Sequence, residues 1–322
     1  MERSDFLKSM VLFTAGGILI PELTYTQVNK LNAKKLKNIG VQLFSVPAYL
    51  DKDFEGTIAS LAKMGYREIE LYGPYPYSQQ SAKDRWKTIT PMLGFNGSGY
   101  FGKKESEVKA IFDNNGLKVP AMHTDLDTLE KDMQSLGKAA KVIGFDYVIL
   151  PAIPEERRKT LDDYKKIAET FNVIGAAARR EGIKFAYHNH GYGLSAIEGQ
   201  VPLDLILDNT DPELVFLEMD LFWTISGRAD PVQYLKKYTG RYRSMHLKDM
   251  KEIKSFSGDG GNPSQWIELF PNMTSCGSGV VDLKSMISTA LKKGVKHFFV
   301  EQDMVQNPSV ALKSSFDYLS SL

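Results

Sequence analysis

The chain has 322 residues, 43% hydrophobic and 25% charged, the composition of a soluble globular protein with a sizeable core. Its 40 basic and 39 acidic residues give a formal net charge of +1, so no global field draws in DNA, RNA or an anionic membrane, and no nucleic-acid partner is expected. Cys276 is the single cysteine, which excludes an intramolecular disulfide and a thiolate metal cluster.

The first apolar stretch runs from Met10 to Ile20. It has the length of a signal-peptide core and is too short to span a bilayer comfortably. The preceding residues, ERSDFLK, resemble the twin-arginine export motif in Phe6-Leu7-Lys8, but Arg3 is followed by Ser4, and Glu2 and Asp5 cancel the positive charge. Residues 1–25 are therefore expected to be an export signal or amino-terminal extension, making the protein periplasmic or otherwise exported, without stable membrane insertion after processing. A buried amino-terminal helix on a cytoplasmic protein is the alternative.

From residue 37 the chain alternates short apolar runs with segments of helical period. The predicted strands are NIGVQLFSV (38–46), REIELYG (67–73), KVPAMHTD (118–125), DYVILPAI (146–153), IKFAYHNH (183–190), VFLEMD (215–220), YRSMHLKD (242–249) and FFVEQD (298–303). Amphipathic segments separate them, and several end in a glycine just before the next strand, at Gly65, Gly116, Gly144, Gly182 and Gly294. That is the expected helix C′ glycine. A last helix, PSVALKSSFDYLSSL, completes eight strand–helix units, the pattern of a (β/α)8 barrel formed as one domain over residues 37–322. A doubly wound open sheet is the runner-up, disfavoured by the lack of a Gly-rich dinucleotide fingerprint. Two connections are long for such a fold, 74–103 after the second strand and 251–279 after the seventh. Both fall on the carboxyl rim and are expected to cover a substrate, their aromatic side chains suiting a sugar ring.

The last four strands all end in residues that bind metals. His188 or His190, Asp220, His246 and Glu301 would meet on one rim of a parallel barrel. A lone strand-end histidine is commonly structural and a lone aspartate commonly caps a helix, but four in succession suggest a site. The expected metal ligands are His188, Asp220, His246 and Glu301. A nitrogen and oxygen set without sulfur suits one divalent ion such as Mn²⁺, Zn²⁺, Co²⁺ or Fe²⁺. Strand alternation puts His188 and His190 on one face, and Lys248 on the face of His246. The residue that is not a ligand of the HNH pair, together with Lys248, is then placed to contact substrate or stabilise an enediolate. Gln42, Glu70 and His123 near earlier strand ends are further substrate-contact candidates, whereas His297 opens its strand and should sit on the opposite face.

These segments together resemble the sugar phosphate isomerase/epimerase superfamily, the xylose isomerase-like barrels. The resemblance rests on GVQLFSV, GYREIEL, GLKVPAMHT, LGFDYVIL, GIKFAYHNH, SMHLKD, GSGVVD and FFVEQD and covers essentially residues 37–320. It implies one divalent metal held by Glu, Asp, His and Glu from strands five to eight, of which Asp220, His246 and Glu301 match the last three. At the first position the chain has His188-Asn189-His190 in place of an E-N-H-like motif. In the family's ketose epimerases the two glutamates are also the acid/base pair, so here Glu301 is expected to work with His188 or His190.

The resemblance implies a small-molecule carbohydrate substrate and an enzyme isomerising or epimerising a sugar or keto-sugar through an enediolate. A lyase or dehydratase expelling a β-substituent from a keto-sugar or keto-glycoside is the alternative. A non-catalytic sugar-binding barrel is a different class again. An endonuclease-IV-like enzyme is disfavoured, because its histidine-rich trinuclear zinc site is hard to build from five histidines in a nearly neutral chain.

Overall fold

The computed structural model describes residues 36–322, so the export-signal reading of residues 1–25 lies outside the described residues. Eight strands close into a parallel barrel. They are β1 (Gly40–Gln42), β2 (Glu68–Tyr72), β3 (Lys118–His123), β4 (Tyr147–Leu150), β5 (Lys184–His188), β6 (Val215–Asp220), β7 (Tyr242–Leu247) and β10 (His297–Val300). Their order around the barrel is β1-β10-β7-β6-β5-β4-β3-β2. The expected (β/α)8 architecture is therefore present, with helices such as Phe54–Met64 and Leu161–Arg180 between strands.

The strands are shorter than their apolar runs. β1 stops at Gln42 because its side-chain Oε1 accepts the Phe44 amide at 3.1 Å and turns the chain into a short 3-10 helix. The five glycines before strands all have positive φ, from +65° to +118°, the left-handed region that ends a helix without steric cost only at glycine. At Gly65 a Cβ would also lie 2.1 Å from the Phe316 ring.

Inside the barrel, alternate residues of each strand stack in layers. Ala121, Tyr147, Ile149, Ala186, Phe216 and Phe299 form an apolar plug separate from the main core. One step further along these strands the inward set becomes His123, His188, Glu218 and Glu301, joined by His246 from β7, all buried. His297 lies below the plug at the amino end, its Nδ1 2.9 Å from Glu68 Oε2, as its place in the strand implied.

Both long connections carry structure of their own. The first contains the helix Gln80–Leu93, tied back by Trp86 Nε1, which donates to Asn96 O at 2.7 Å. The second opens and closes on a two-stranded ladder, β8 (Asp249–Met250) against β9 (Met273–Thr274), and includes the helix Pro263–Leu269. The buried Asp249 carboxylate anchors it. Oδ2 accepts the amides of Gly277 and Gly279 at 2.9 and 3.1 Å, while Oδ1 accepts those of Val281 and Met250 at 3.1 and 2.8 Å. No helix of the described residues is long and apolar enough to cross a membrane.

Asp249→Asn replaces one acceptor oxygen with an NH₂ that faces backbone donors. It should lower unfolding free energy by about 3 kcal/mol and speed proteolysis within 251–279. Unchanged denaturant midpoint and cleavage rate would show that the anchor is dispensable.

Candidate functional site

The polar side chains at the barrel mouth lie in two tiers. In the lower tier, Glu218 Oε2 receives three imidazoles from three strands: His123 Nε2 at 2.8 Å, His188 Nδ1 at 3.0 Å and His246 Nε2 at 3.1 Å. Glu70 Oε2 lies 2.5 Å from His246 Nε2 and 3.2 Å from His123 Nε2, and accepts Gln42 Nε2 at 2.8 Å. Glu70, Glu218 and His246 are fully buried, and buried charges persist only when paired in this way.

The upper tier reaches the cleft through Lys248, Glu301 and Asp303, with Asp220 and His246 buried behind them. His246 turns Nδ1 towards Glu301 Oε2 at 2.8 Å and Asp220 Oδ2 at 3.8 Å, and His188 Nε2 is 3.7 Å from the same Asp220 oxygen. Lys248 Nζ lies 2.6 Å from Asp303, 2.7 Å from Glu301 and 3.1 Å from Asp220. Asp220 divides its two oxygens. Oδ1 accepts the Trp223 amide at 2.9 Å and caps the helix Leu221–Ser226, whereas Oδ2 is buried with no well-aligned hydrogen bond despite the nearby ammonium. Asp220 thus caps a helix with one oxygen and leaves the other buried at the candidate site.

Electrostatics follow from these contacts. Burial disfavours charge on His246, but Glu218, Glu301 and Glu70 outweigh it and push its pKa well above the usual imidazole range. Burial is likewise outweighed at His123, by Glu70 and Glu218, and its pKa rises to about 9. Burial pulls His188 down, against its bond to Glu218, and pulls His190 well down with help from His188 and Lys248. Burial also opposes charge on Lys248, yet Asp220, Asp303 and Glu301 keep it protonated. Burial is outweighed at Glu301 by Lys248 and His246, which hold it ionised, while burial and Glu301 raise Asp303 to about 6.

Asp220, His246 and Glu301 offer ligand atoms within 4.8 Å of one another, as do His123, His188, Glu218 and His246. The donor set fits a divalent cation. Its oxygens and nitrogens suit a borderline metal, Asp220 Oδ2 is an available buried acceptor, and three carboxylates in the upper tier face one ammonium.

His190 stands apart from both groups. Its Nδ1 is 2.6 Å from Pro151 O, and its ring stacks on Trp266 with centroids 4.5 Å apart. A carbonyl oxygen only accepts, so Nδ1 carries the proton and the neutral ring keeps its lone pair on Nε2. A cleft of about 1370 Å³ opens above the site, with Gln42, His123, His188, His190, Lys248 and Glu301 in its lining. Glu70 lies beneath that surface, where it orders the side chains around it. Glu218 and Asp303 escaped the sequence reading, although each lies two residues from a recognised candidate on the same strand face. Trp223 and Trp266 escaped it because their positions depend on a helix and a loop rather than on strand period.

The xylose isomerase-like TIM barrel family model matches residues 58–322. The inosose dehydratase of Clostridium tetani is 33% identical over 208 residues, 63% of this chain and 65% of that protein, so the match spans less than two thirds of that relative's length. A sugar phosphate isomerase/epimerase from Parabacteroides distasonis superposes with a TM-score of 0.68 at 23% identity, over 90% of this chain and 96% of that one. The IOLI protein, solved with a bound zinc atom, gives 0.59 at 14% identity over 88% and 95%. The chain belongs to the xylose isomerase-like TIM barrel family.

Proposed function

We propose that the protein is a metal-dependent lyase that removes a β-substituent, as water or an alcohol, from a keto-sugar or related cyclic polyol ketone. The observation that carries this reading is the convergence of Asp220 Oδ2, His246 Nδ1, Glu301 Oε2 and Lys248 Nζ beside an imidazole that is not part of the ligand group. The similarity to inosose dehydratase supports elimination over isomerisation, and so does the histidine that replaces the first glutamate of the family's acid/base pair.

Asp220, His246 and Glu301 would hold the ion, with His188 Nε2 as the adjoining nitrogen, and the zinc of the IOLI protein supports a metal in this fold. Such an ion supplies Lewis acidity at a substrate carbonyl and its neighbouring hydroxyl. The rest of the chemistry falls to side chains. His190 Nε2, unprotonated and at the cleft wall, takes the proton from the carbon next to the carbonyl. The electron pair of that C–H bond forms the enediolate, whose negative charge Lys248 stabilises through its fixed ammonium. Collapse of the pair onto the adjacent carbon breaks the bond to the β-oxygen, which takes up the proton held on His190 and departs as water or alcohol, returning the imidazole to its neutral form. Isomerisation or epimerisation is the second reading, favoured by the same α-proton chemistry and by the fold of the P. distasonis protein. It differs in returning the proton to carbon.

Metal analysis of purified protein should find about one divalent ion per chain, and Asp220→Ala and Glu301→Ala should each reduce metal affinity roughly tenfold or more. Full occupancy in both variants would remove the assignment. For the reaction, incubation of a keto-sugar in deuterated water should yield an unsaturated ketone and released water or alcohol. Deuterium retained in a product of unchanged formula would instead establish isomerisation. In the same assay His190→Phe should lower kcat by about 10²–10⁴-fold and Lys248→Met by about 10²–10³-fold, both with metal retained. Loss of metal in His190→Phe would make it a ligand and refute its assigned role.

A further inference from the structure

Above its polar floor the cleft is walled by aliphatic and aromatic side chains from three separate insertions. The helix Gln80–Leu93 contributes Trp86, Ile89 and Met92, spaced at helical period along one face. Ile267 comes from the helix Pro263–Leu269, and Met304 and Val310 come from the segment after β10. Among the described residues, half of the large apolar side chains left open to solvent belong to this one wall, with Met92 62% and Val310 65% exposed. Scattered exposed apolar residues need no explanation, but a continuous set around a site mouth does. The cleft, at about 1370 Å³, also exceeds the roughly 300–1,000 Å³ of usual small-molecule pockets.

We infer that this wall is a binding subsite for an apolar, aromatic or alkyl substituent carried by the substrate. The inference rests on the sugar-lyase reading and names the group that the reaction would release. A second hydroxyl-rich sugar ring would lose its water against Ile89, Met92, Ile267, Met304 and Val310, which offer no hydrogen bonds in return. A phosphate is matched no better by these side chains, none of which carries a charge, and Arg85 beside them already pairs with Asp127 at 3.2 Å. An apolar group loses little on leaving water and gains contact with three surfaces. The wall is continuous with the floor, so a single ligand can engage both, its oxygens at Lys248 and Glu301 and its apolar end at Met92.

The test measures binding of methyl β-D-glucopyranoside and phenyl β-D-glucopyranoside to the metal-loaded protein by calorimetry. The phenyl compound should bind at least about tenfold more tightly. Ile89→Asp/Met92→Asp, and separately Met304→Asp in the segment after β10, should erase that gain while leaving the methyl compound's affinity and the metal content unchanged. Methyl glycoside binding without a phenyl gain, or a gain that survives both variants, overturns the subsite and leaves the sugar reading intact. Binding of neither glycoside by metal-loaded protein overturns the subsite, while the keto-sugar reading stands or falls on the separate turnover of a keto-sugar. A fall in oligomeric state on the same substitutions, seen by light scattering, assigns the wall to a second copy of the chain and also overturns the inference.

Discussion

One carboxylate oxygen at the centre of the barrel receives three imidazoles. Glu218 Oε2 is within 3.1 Å of nitrogens on His123, His188 and His246, which arrive from β3, β5 and β7. Isolated in the buried barrel interior such a charge would be prohibitive, and each imidazole that pairs with it is oriented as a result. His246 is the clearest case. Its Nε2 is committed downwards to Glu70 and Glu218, so Nδ1 faces Asp220 and Glu301. His188 commits Nδ1 downwards and turns Nε2 towards Asp220. The lower tier thus selects which atoms are presented at the cleft, as partners behind metal-binding histidines generally do.

The arrangement above it separates roles that a linear reading merges. Glu301 and Asp303 lie on one strand end and share Lys248, yet Glu301 is held ionised while Asp303 is raised to about 6. His188 and His190 are two residues apart with rings 5.1 Å from each other, yet one is tied to buried carboxylates and the other to a backbone carbonyl and a tryptophan face. Divergent surroundings for chemically identical groups are a common basis for assigning different tasks to them.

Much of the floor was legible because strand alternation is a rigid rule. His123, His188, Lys248 and Glu301, identified from their places at strand ends, line the cleft, and Asp220 and His246, identified in the same way, are buried beside them. The same rule, applied one step deeper, marks Glu218 beneath Asp220 and, one step outward, Asp303 beyond Glu301. The long connections were recognised by length and aromatic content. Their helices, the β8–β9 ladder and the Asp249 anchor were not, since they depend on backbone amides brought together from residues about thirty positions apart.

The sequence by itself determined the barrel, the rim that carries the chemistry and the residue types available for a metal, because period, glycine placement and strand-end polarity are local properties. Only the tertiary structure decided that His188 joins the carboxylate cluster while His190 stacks on Trp266, that Glu70 supports the floor from below, and that three insertions line one apolar wall. Those outcomes depend on which side chains meet across a closed barrel. Neighbours of that kind are set by curvature and register, which no single strand encodes.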